Sequence, residues 1–218
     1  MQNLMGTLVS VQAGKPRKME FEGKAWRSAI YKEAVAGRIA VNSTNIEGDK
    51  QANLKYHGGP DKAICCFAAE HFDFWRDTLG RTEEEFCFGA FGENFTLLGL
   101  TEDQVCIGDT FTVGTTTVQV TQPRMPCVNL ARKWDSTEMP AEMIARGHSG
   151  YYLRVLTPGD VGAGDPMTLQ DRPNPEMTVG VANEIIYRKA GGEPARLALI
   201  AVPELSEEWR RMLGRRRH

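Results

Sequence analysis

Long apolar runs are missing from this sequence, and their absence excludes a membrane-spanning helix. Hydrophobic residues make up 41% of the 218 positions, which is enough to fill a core. The longest apolar runs, such as AICCFAA at 63–69, are nevertheless far shorter than the about 20 residues that a spanning helix requires. The opening segment, MQNLMGTLVSVQAGKPRK, lacks the continuous apolar stretch of a secretory signal. We therefore expect a soluble, cytoplasmic protein.

Paired cysteines and a strong net charge are also missing. The five cysteines are odd in number and form no CxxC pair, so a disulfide framework is excluded and a reducing compartment fits best. A formal net charge of −2 gives the chain no general attraction for nucleic acid or anionic membranes. The basic stretch Arg215–Arg217 is interpreted as a solvated end rather than as a binding patch.

A dinucleotide-binding motif is the third absence. No GxGxxG segment opens a predicted helix, although the chain has 22 glycines. That motif lets the backbone approach a pyrophosphate, so the sequence gives no indication of a flavin or nicotinamide site. Electrons for any redox reaction would therefore have to come from outside the chain.

Short β-like runs fill the sequence from residue 4 to about 170 and are broken by Gly, Pro, Asn and Asp. In one of them, 110–121, Gly114 separates two runs rich in Thr and Val, which predicts a β-hairpin. We expect Val118 and Val120 to face one side of its second strand. Many short strands separated by turns predict a barrel or a sandwich.

One helix is predicted within this strand-rich part. In 70–79, Phe72, Trp75 and Leu79 recur at helical spacing and form an apolar stripe. His71 lies beside that stripe, and we interpret it as a partly exposed helix residue rather than as a ligand.

The pattern becomes helical after Pro173-Asn174-Pro175. We therefore predict two domains, a β domain over 1–172 and a helical domain over 173–218, with a linker at 171–175. The predicted helices of the second domain are one that begins near Thr178, one over 196–202, and one capped by Ser206 with Trp209, Met212 and Leu213 as its apolar face.

The segment QPRMPC at 122–127 places two prolines around an arginine and a cysteine. Proline cannot donate to a strand ladder, so the chain must leave the sheet here with a stiffened backbone. Arg124 offers a planar fork for phosphate or carboxylate, and a nearby positive charge favours a thiolate at Cys127. The alternative is that Cys127 is a small, buried hydrophobic residue. We assign that alternative to the four other cysteines, which are Cys65, Cys66, Cys87 and Cys106.

A second candidate is KYHGGPDK at 55–62, where charged side chains surround a Gly-Gly-Pro turn. Glycine permits close backbone approach to a ligand and the lysines suit an anion, but an exposed polar turn explains the same pattern. Three further segments, FGEN at 91–94, GD at 108–109 and GYYLRV at 150–155, are weak signals when each is taken alone.

Together and in this order, these five segments resemble the MOSC domain family, and within it the bacterial YiiM-like branch. The resemblance spans about residues 4–170, and residues 175–213 look like the small three-helix domain that accompanies this branch. It implies a mainly β fold: a twisted, mostly antiparallel β-barrel with a few helices, followed by the three-helix domain. One difference is Val128-Asn129, where YiiM-like relatives are expected to carry an aromatic residue and a lysine.

The resemblance also implies a pterin-based molybdenum cofactor, molybdopterin carrying molybdenum. Cys127 would be the thiolate ligand to the metal, since a soft sulfur donor on a rigid loop suits it. Arg124 would bind the phosphate of the cofactor, and His57 would supply a proton in catalysis. The other residues implied to line the cofactor pocket are Lys55, Asp61, Asn94 and Arg154.

The implied activity is a molybdenum-dependent reduction of N-hydroxylated compounds to amines. Hydroxylaminopurine-type base analogues and hydroxylamines are the implied substrates, and an external flavin or iron–sulfur reductase is the implied electron donor. A different class stays open, namely a non-enzymatic carrier of the molybdenum cofactor or of persulfide sulfur on Cys127. A third alternative is a barrel that only binds a small anion, with an affinity that does not depend on Cys127.

Overall fold

A computed structural model of the chain describes residues 4–215, with strands predominating up to residue 171 and helices beyond it. The strands are β1 (Met5–Ala13), β2 (Arg17–Phe21), β3 (Lys24–Ser28), β4 (Glu33–Ala34), β5 (Arg38–Asn42), β6 (Asn45–Ile46), β7 (Ile64–Ala68), β8 (Phe95–Leu98), β9 (Thr110–Val113), β10 (Thr116–Pro123), β11 (Tyr151–Thr157), β12 (Gly159–Gly162) and β13 (Pro166–Asp171). The α-helices are α1 (Leu54–His57), α2 (Phe72–Leu79), α3 (Val128–Trp134), α4 (Met139–Arg146), α5 (Val179–Tyr187), α6 (Gly192–Ala201) and α7 (Glu207–Arg215).

Seven strands close into a barrel in the order β13-β9-β10-β11-β7-β8-β1. The ring closes where β1 pairs with β13, with Met5 opposite Thr168. Neighbouring strands run antiparallel except β7 and β8, which pair in parallel with Cys66 opposite Phe95. The predicted mainly β barrel is therefore confirmed, and its sheet is mixed because of this one parallel pair.

The predicted hairpin is confirmed as β9 and β10. Val118 and Val120 are fully buried, and the intervening Gln119 is half-buried, as period-two alternation requires. At the turn, Gly114 has φ of 56°, and a Cβ there would lie 2.2 Å from the carbonyl oxygen of Asp160. Glycine is therefore needed at this turn for both its conformation and its size.

A two-stranded hairpin, β2 and β3, forms a separate small sheet beside the barrel, with Met19 opposite Trp26. Our reading of the sequence missed this hairpin, because its charged residues mask the alternation of its apolar ones. The chain that follows β3 forms part of the cavity described below.

The helix predicted over 70–79 is confirmed as α2, preceded by a short 3₁₀ turn over Ala69–His71. Phe72 and Trp75 are buried and belong to an aromatic cluster. That cluster packs on the barrel, because it includes Phe67 of β7.

The caps of the C-terminal helices agree with the sequence. The Thr178 hydroxyl accepts the Val181 N–H at 3.0 Å before α5, and the Ser206 hydroxyl accepts the Trp209 N–H at 3.2 Å before α7. The middle helix begins at Gly192, earlier than predicted.

The C-terminal helices share one hydrophobic cluster with the barrel strands. The predicted domain boundary between residues 172 and 173 stays a prediction. Residues 216–217 of the basic stretch lie outside the described range.

Helices α1 to α7 are between 4 and 10 residues long. Across residues 4–215, none of them is both long and apolar enough to traverse a bilayer.

Candidate active site

A cavity of about 220 Å³ brings together four of the predicted site residues. Its wall is built from the chain after β3, from the segment that leads into α1, and from the segment between β10 and α3. The predicted residues that line it are His57, Asn94, Arg124 and Cys127. Two of them come from QPRMPC, so the stiff segment after β10 contributes directly to this site.

Cys127 owes its position to the two prolines. Strand β10 ends at Pro123, and Cys127 has an extended backbone immediately before α3, where its carbonyl accepts the Leu130 N–H at 3.0 Å. The thiol is half-buried and free of any disulfide. The chain therefore presents one accessible sulfur at the cavity wall from a backbone with little freedom.

Arg124 is a buried cation with unused donors. Its side chain is 5% exposed, and Nη2 donates to the carbonyl oxygen of Phe91 at 2.6 Å. Nη1 is buried and has no hydrogen-bond partner within residues 4–215, and no carboxylate there forms an ion pair with this guanidinium. The buried carboxylate of Glu93 is close enough to help raise the pKa of Arg124, but it does not use the Nη1 donor. A buried donor without a partner is costly, so the arrangement favours an anion in the cavity.

Gly150 links Arg124 to a buried carboxylate. Its carbonyl accepts the backbone N–H of Arg124 at 2.9 Å, and its own N–H donates to Oε1 of Glu102 at 2.7 Å. The other oxygen of Glu102 lies 2.8 Å from Nε2 of His71. Gly150 has φ of 70°, and a Cβ there would lie 2.3 Å from the carbonyl oxygen of Cys66. Glycine is therefore needed here, and Glu102 holds the peptide that positions Arg124.

His57 reaches the cavity from the end of α1. Burial lowers its pKa, and the positive charges of Arg124 and Lys62 lower it further. The neutral imidazole is therefore favoured in the neutral pH range. A proton placed on His57 is readily given up, which suits a residue that passes protons to a bound molecule.

Two residues of the cavity wall were missed by our sequence reasoning. Cys65 on β7 and Tyr152 on β11 lie opposite each other in the barrel ladder, and both line the cavity. Burial raises the pKa of each, so both are protonated at neutral pH. Cys65 is buried, as predicted for a small apolar residue, but its place in the cavity could be found only from the pairing of β7 with β11.

Asn94 contributes structure to the cavity wall. Its Oδ1 accepts the backbone N–H of Cys65 at 3.1 Å, and its Nδ2 donates to the carbonyl of Gln12 at 3.2 Å. The FGEN segment thus ties β7 to β1 beside the cavity.

The other predicted site residues are placed elsewhere. Lys55 and Asp61 line a neighbouring groove of about 580 Å³ against α7. Asp61 forms an ion pair with Arg154 at 2.9 Å, and its other oxygen accepts the Glu207 N–H at 3.1 Å. Arg154 also donates to the carbonyl of Glu204 at 2.9 Å. The contacts of Asp61 and Arg154 hold α7 on the barrel, and a role of these residues toward the cofactor stays a prediction.

Cations other than Arg124 also face the cavity. Asn129 lines it at the position where a lysine was expected, but Lys32 and Lys62 line it from other segments. Lys32 pairs with Asp49, and Lys62 pairs with Glu208. These two lysines are thus already paired, and the positive charge of the cavity comes from Arg124 together with Arg27 and Lys50, which also line it and form no ion pair within residues 4–215.

One cysteine prediction was wrong. Cys87 was expected to be buried between two phenylalanines, but it is exposed. It lies between α2 and β8 in a segment without regular strands or helices, where Phe86 is buried and Phe88 is 39% exposed. The apolar neighbours in the sequence therefore do not indicate burial here.

Within residues 4–215, no three or more His, Cys, Asp or Glu side chains are arranged to hold a metal ion.

The Glu102 cluster contains two half-buried histidines, His71 and His148. The ring of His71 stacks on His148, with centroids 3.7 Å apart. Burial, and then the charge of His71, lower the pKa of His148 from 6.5 to about 4. Nδ1 of His148 is buried and has no hydrogen-bond partner among the residues that the structure describes. The neutral form of His148 is therefore the favoured one.

This cluster predicts a loss of stability in mild acid. The pKa of His148 is lower in the folded state, so the unfolded chain takes up a proton that the folded chain does not as the pH falls from 6.5 to about 4. The free energy of unfolding therefore keeps its full value above pH 6.5 and falls as the pH drops to about 4. The loss is about 1 to 2 kcal/mol once the partial exposure of the ring is allowed for. Urea unfolding at about pH 7 and about pH 5 should show a smaller loss in His148→Gln than in the wild type. Equal losses in both proteins would contradict this prediction.

Comparison with known proteins agrees with this geometry. The sequence model of the MOSC domain matches residues 53–168, which contain the cavity residues His57, Asn94, Arg124 and Cys127. The chain belongs to the MOSC domain family. This confirms the resemblance, and MOSC proteins are associated in general with binding of the molybdenum cofactor.

Individual MOSC relatives match along most of the chain. The uncharacterized protein YflK of Bacillus subtilis (strain 168) is 41% identical, over 94% of this chain and 91% of YflK. The crystal structure of YiiM from Geobacillus stearothermophilus has 38% identity and a TM-score of 0.81, covering 96% of this chain and 97% of that one. A protein named "Reductase" from Gibberella moniliformis (strain M3125 / FGSC 7600) is 31% identical over 80% of this chain, but the match spans only 31% of that longer protein.

Proposed function

We propose that this MOSC protein is a molybdenum-cofactor-dependent reductase that converts N-hydroxylated compounds to amines. The observation that carries the proposal is the meeting of the half-buried Cys127 thiol and the buried, partly unpaired Arg124 guanidinium in one cavity. The thiol is a soft ligand for a metal, and the guanidinium is a fork for a phosphate.

The residues of the cavity fit the molybdenum cofactor. One protein thiolate is sufficient when the pterin brings its own sulfur donors to the metal, and Nη1 of Arg124 has an unused donor for an anionic group. Arg27 and Lys50, which form no ion pair within residues 4–215, add positive charge to the same wall. When bound, the cofactor would supply a two-electron redox centre, while the chain supplies the ligand, the anion site and the shape of the pocket.

The chain's own residues also handle protons. Reduction of an N–OH group consumes two electrons and two protons and releases the amine and water. His57 would relay one of these protons from solvent: its lowered pKa leaves the resting ring neutral, and a proton that the ring takes up is readily passed on. Tyr152 and Cys65 stay neutral beside it, because burial raises the pKa of both. Of these three groups, His57 is therefore the one assigned to proton relay.

The name of the Gibberella moniliformis relative supports a reductase, and the substrate class rests on the family resemblance. Because the chain has no dinucleotide motif, the electrons would come from an external flavin or iron–sulfur protein. A carrier of the cofactor or of persulfide sulfur is the rival function, and it uses the same cysteine.

Turnover separates these two functions. Protein loaded with molybdenum cofactor is mixed with 6-N-hydroxylaminopurine and reduced methyl viologen, and adenine formation is measured by chromatography. A reductase forms many equivalents of adenine per protein, and omission of the donor stops the reaction. A carrier forms at most one equivalent, which would overturn the proposal.

A further inference from the structure

Large apolar side chains are exposed on the two chain segments that bring His57 and Cys127 to the cavity, although none of them lines the cavity itself. Leu54 and Tyr56 are 71% and 56% exposed on α1, the helix that brings His57 to the cavity. Met125 and Val128 are 38% and 56% exposed on the two sides of Cys127. We call these four side chains, Leu54, Tyr56, Met125 and Val128, the apolar rim. Tyr56 lines the groove against α7 and Val128 lines another groove, so the rim flanks the cavity on both of these segments. Exposed apolar groups that flank a functional cavity are typical of an interaction surface.

Cations accompany the apolar rim. Arg27 and Lys50 are exposed and line the cavity, and Lys55 is exposed between Leu54 and Tyr56. None of these three side chains forms an ion pair within residues 4–215. Among the residues that the structure describes, the lining of the cavity contains no carboxylate, whereas the groove that Lys55 lines also contains Asp61, Glu207 and Glu208. The excess positive charge of this face therefore lies on its cavity side, in a chain whose formal charge is −2. An acidic partner would be drawn to this face in preference to the rest of the surface.

We propose that the apolar rim and these three cations are the docking face for an acidic electron-donor protein. The inference rests on the proposed function, which needs electrons from outside and gives a donor a reason to approach Cys127. Met125 and Val128 are the exposed groups next to that residue, so a donor seated on the rim comes close to the reacting centre. A small face that combines apolar contact with opposite charge suits the brief complexes of electron transfer.

The test compares two electron donors for the same reaction. Reduced methyl viologen is a small molecule that needs no docking face, and reduced flavodoxin is an acidic flavoprotein that does. The variant is Leu54→Ser with Tyr56→Ser, and the matched control is Leu156→Ser with Leu197→Ser, which removes exposed apolar groups of 48% and 52% exposure elsewhere. We expect the rim variant to lose about tenfold in flavodoxin-driven turnover and to keep its viologen-driven turnover, while the control keeps both.

Binding is measured separately on cofactor-free protein, so that it does not depend on activity. Calorimetric titration with flavodoxin should give a dissociation constant that rises with added NaCl and rises about tenfold in the rim variant. Unchanged flavodoxin binding, or an equal fall in both turnover rates, would overturn the docking proposal. A concentration-dependent dimer in sedimentation that the rim variant abolishes would also overturn it, by assigning the face to a second copy of the chain. Absence of viologen-driven turnover in the wild type would refute the proposed function itself.

Discussion

Replacement of Cys127 by serine is expected to lower the molybdenum bound per protein about 100-fold when both proteins are made in cells that synthesise the cofactor. The thiol is half-buried at the cavity wall and is held by a backbone between a proline and a helix. Serine keeps the size and position of the side chain, but a hydroxyl is a hard and weakly acidic ligand compared with a thiol. Metal analysis of the purified proteins by mass spectrometry measures the difference.

The matched control for this experiment is Cys87→Ser. Cys87 is exposed and does not line the cavity, so its loss should leave the metal content unchanged. Equal molybdenum in Cys127→Ser and in the wild type would remove the ligand assignment and leave a barrel that only binds a small anion. Inorganic phosphate affinity should, in either case, change little in Cys127→Ser, because the anion contact is assigned to Arg124.

The elements that could be predicted from the sequence are those set by local patterns. The hairpin β9–β10 follows from two alternating runs around Gly114, whose conformation and close contact with Asp160 need glycine. Helices α5 and α7 follow from Thr178 and Ser206, whose hydroxyls cap them. In each case a few consecutive residues contain the physical cause of the structure.

The candidate site could be predicted only where its residues lie in one stiff segment. Arg124 and Cys127 are separated by two residues, and the prolines around them are visible in the sequence. By contrast, Cys65 enters the cavity because β7 pairs with β11, and Glu102 reaches Gly150 across 48 positions of sequence. Contacts of this kind depend on the closure of the barrel, which no local pattern specifies.

The ion pair of Asp61 with Arg154 shows the same limit for charged residues. Each side chain is polar, follows a glycine-containing segment and falls within a family motif, so the resemblance assigned both to the cofactor pocket. In the structure they contact each other, and Asp61 also accepts a backbone N–H at the start of α7. Residue type alone does not distinguish a charge that binds a ligand from one that joins two parts of the fold, because both need the same groups.

Substitution of Arg124 by methionine is expected to weaken binding of inorganic phosphate by the cofactor-free protein about 30- to 150-fold, since loss of a charge-assisted hydrogen bond costs about 2 to 3 kcal/mol. Methionine keeps the length of the side chain but has no donors and no charge. The free energy of unfolding should fall less than in the control below, because Arg124 makes one side-chain hydrogen bond to the protein, to the Phe91 carbonyl, and forms no direct ion pair with a carboxylate within residues 4–215. Arg124→Lys keeps the charge but lacks the planar fork, and we expect it to restore only part of the affinity.

Arg172→Met is the matched control, because Arg172 holds the buried carboxylate of Asp109 at 2.6 Å and does not line the cavity. This variant leaves Asp109 without its partner, so we expect it to lose about 2 to 4 kcal/mol of stability and to keep its phosphate affinity. Calorimetric titration should therefore show the larger loss of phosphate affinity in Arg124→Met, and urea unfolding should show the larger loss of stability in Arg172→Met. If Arg124→Met bound phosphate like the wild type, or if it lost as much stability as Arg172→Met, the guanidinium would be a structural group and the anion site would have to lie elsewhere.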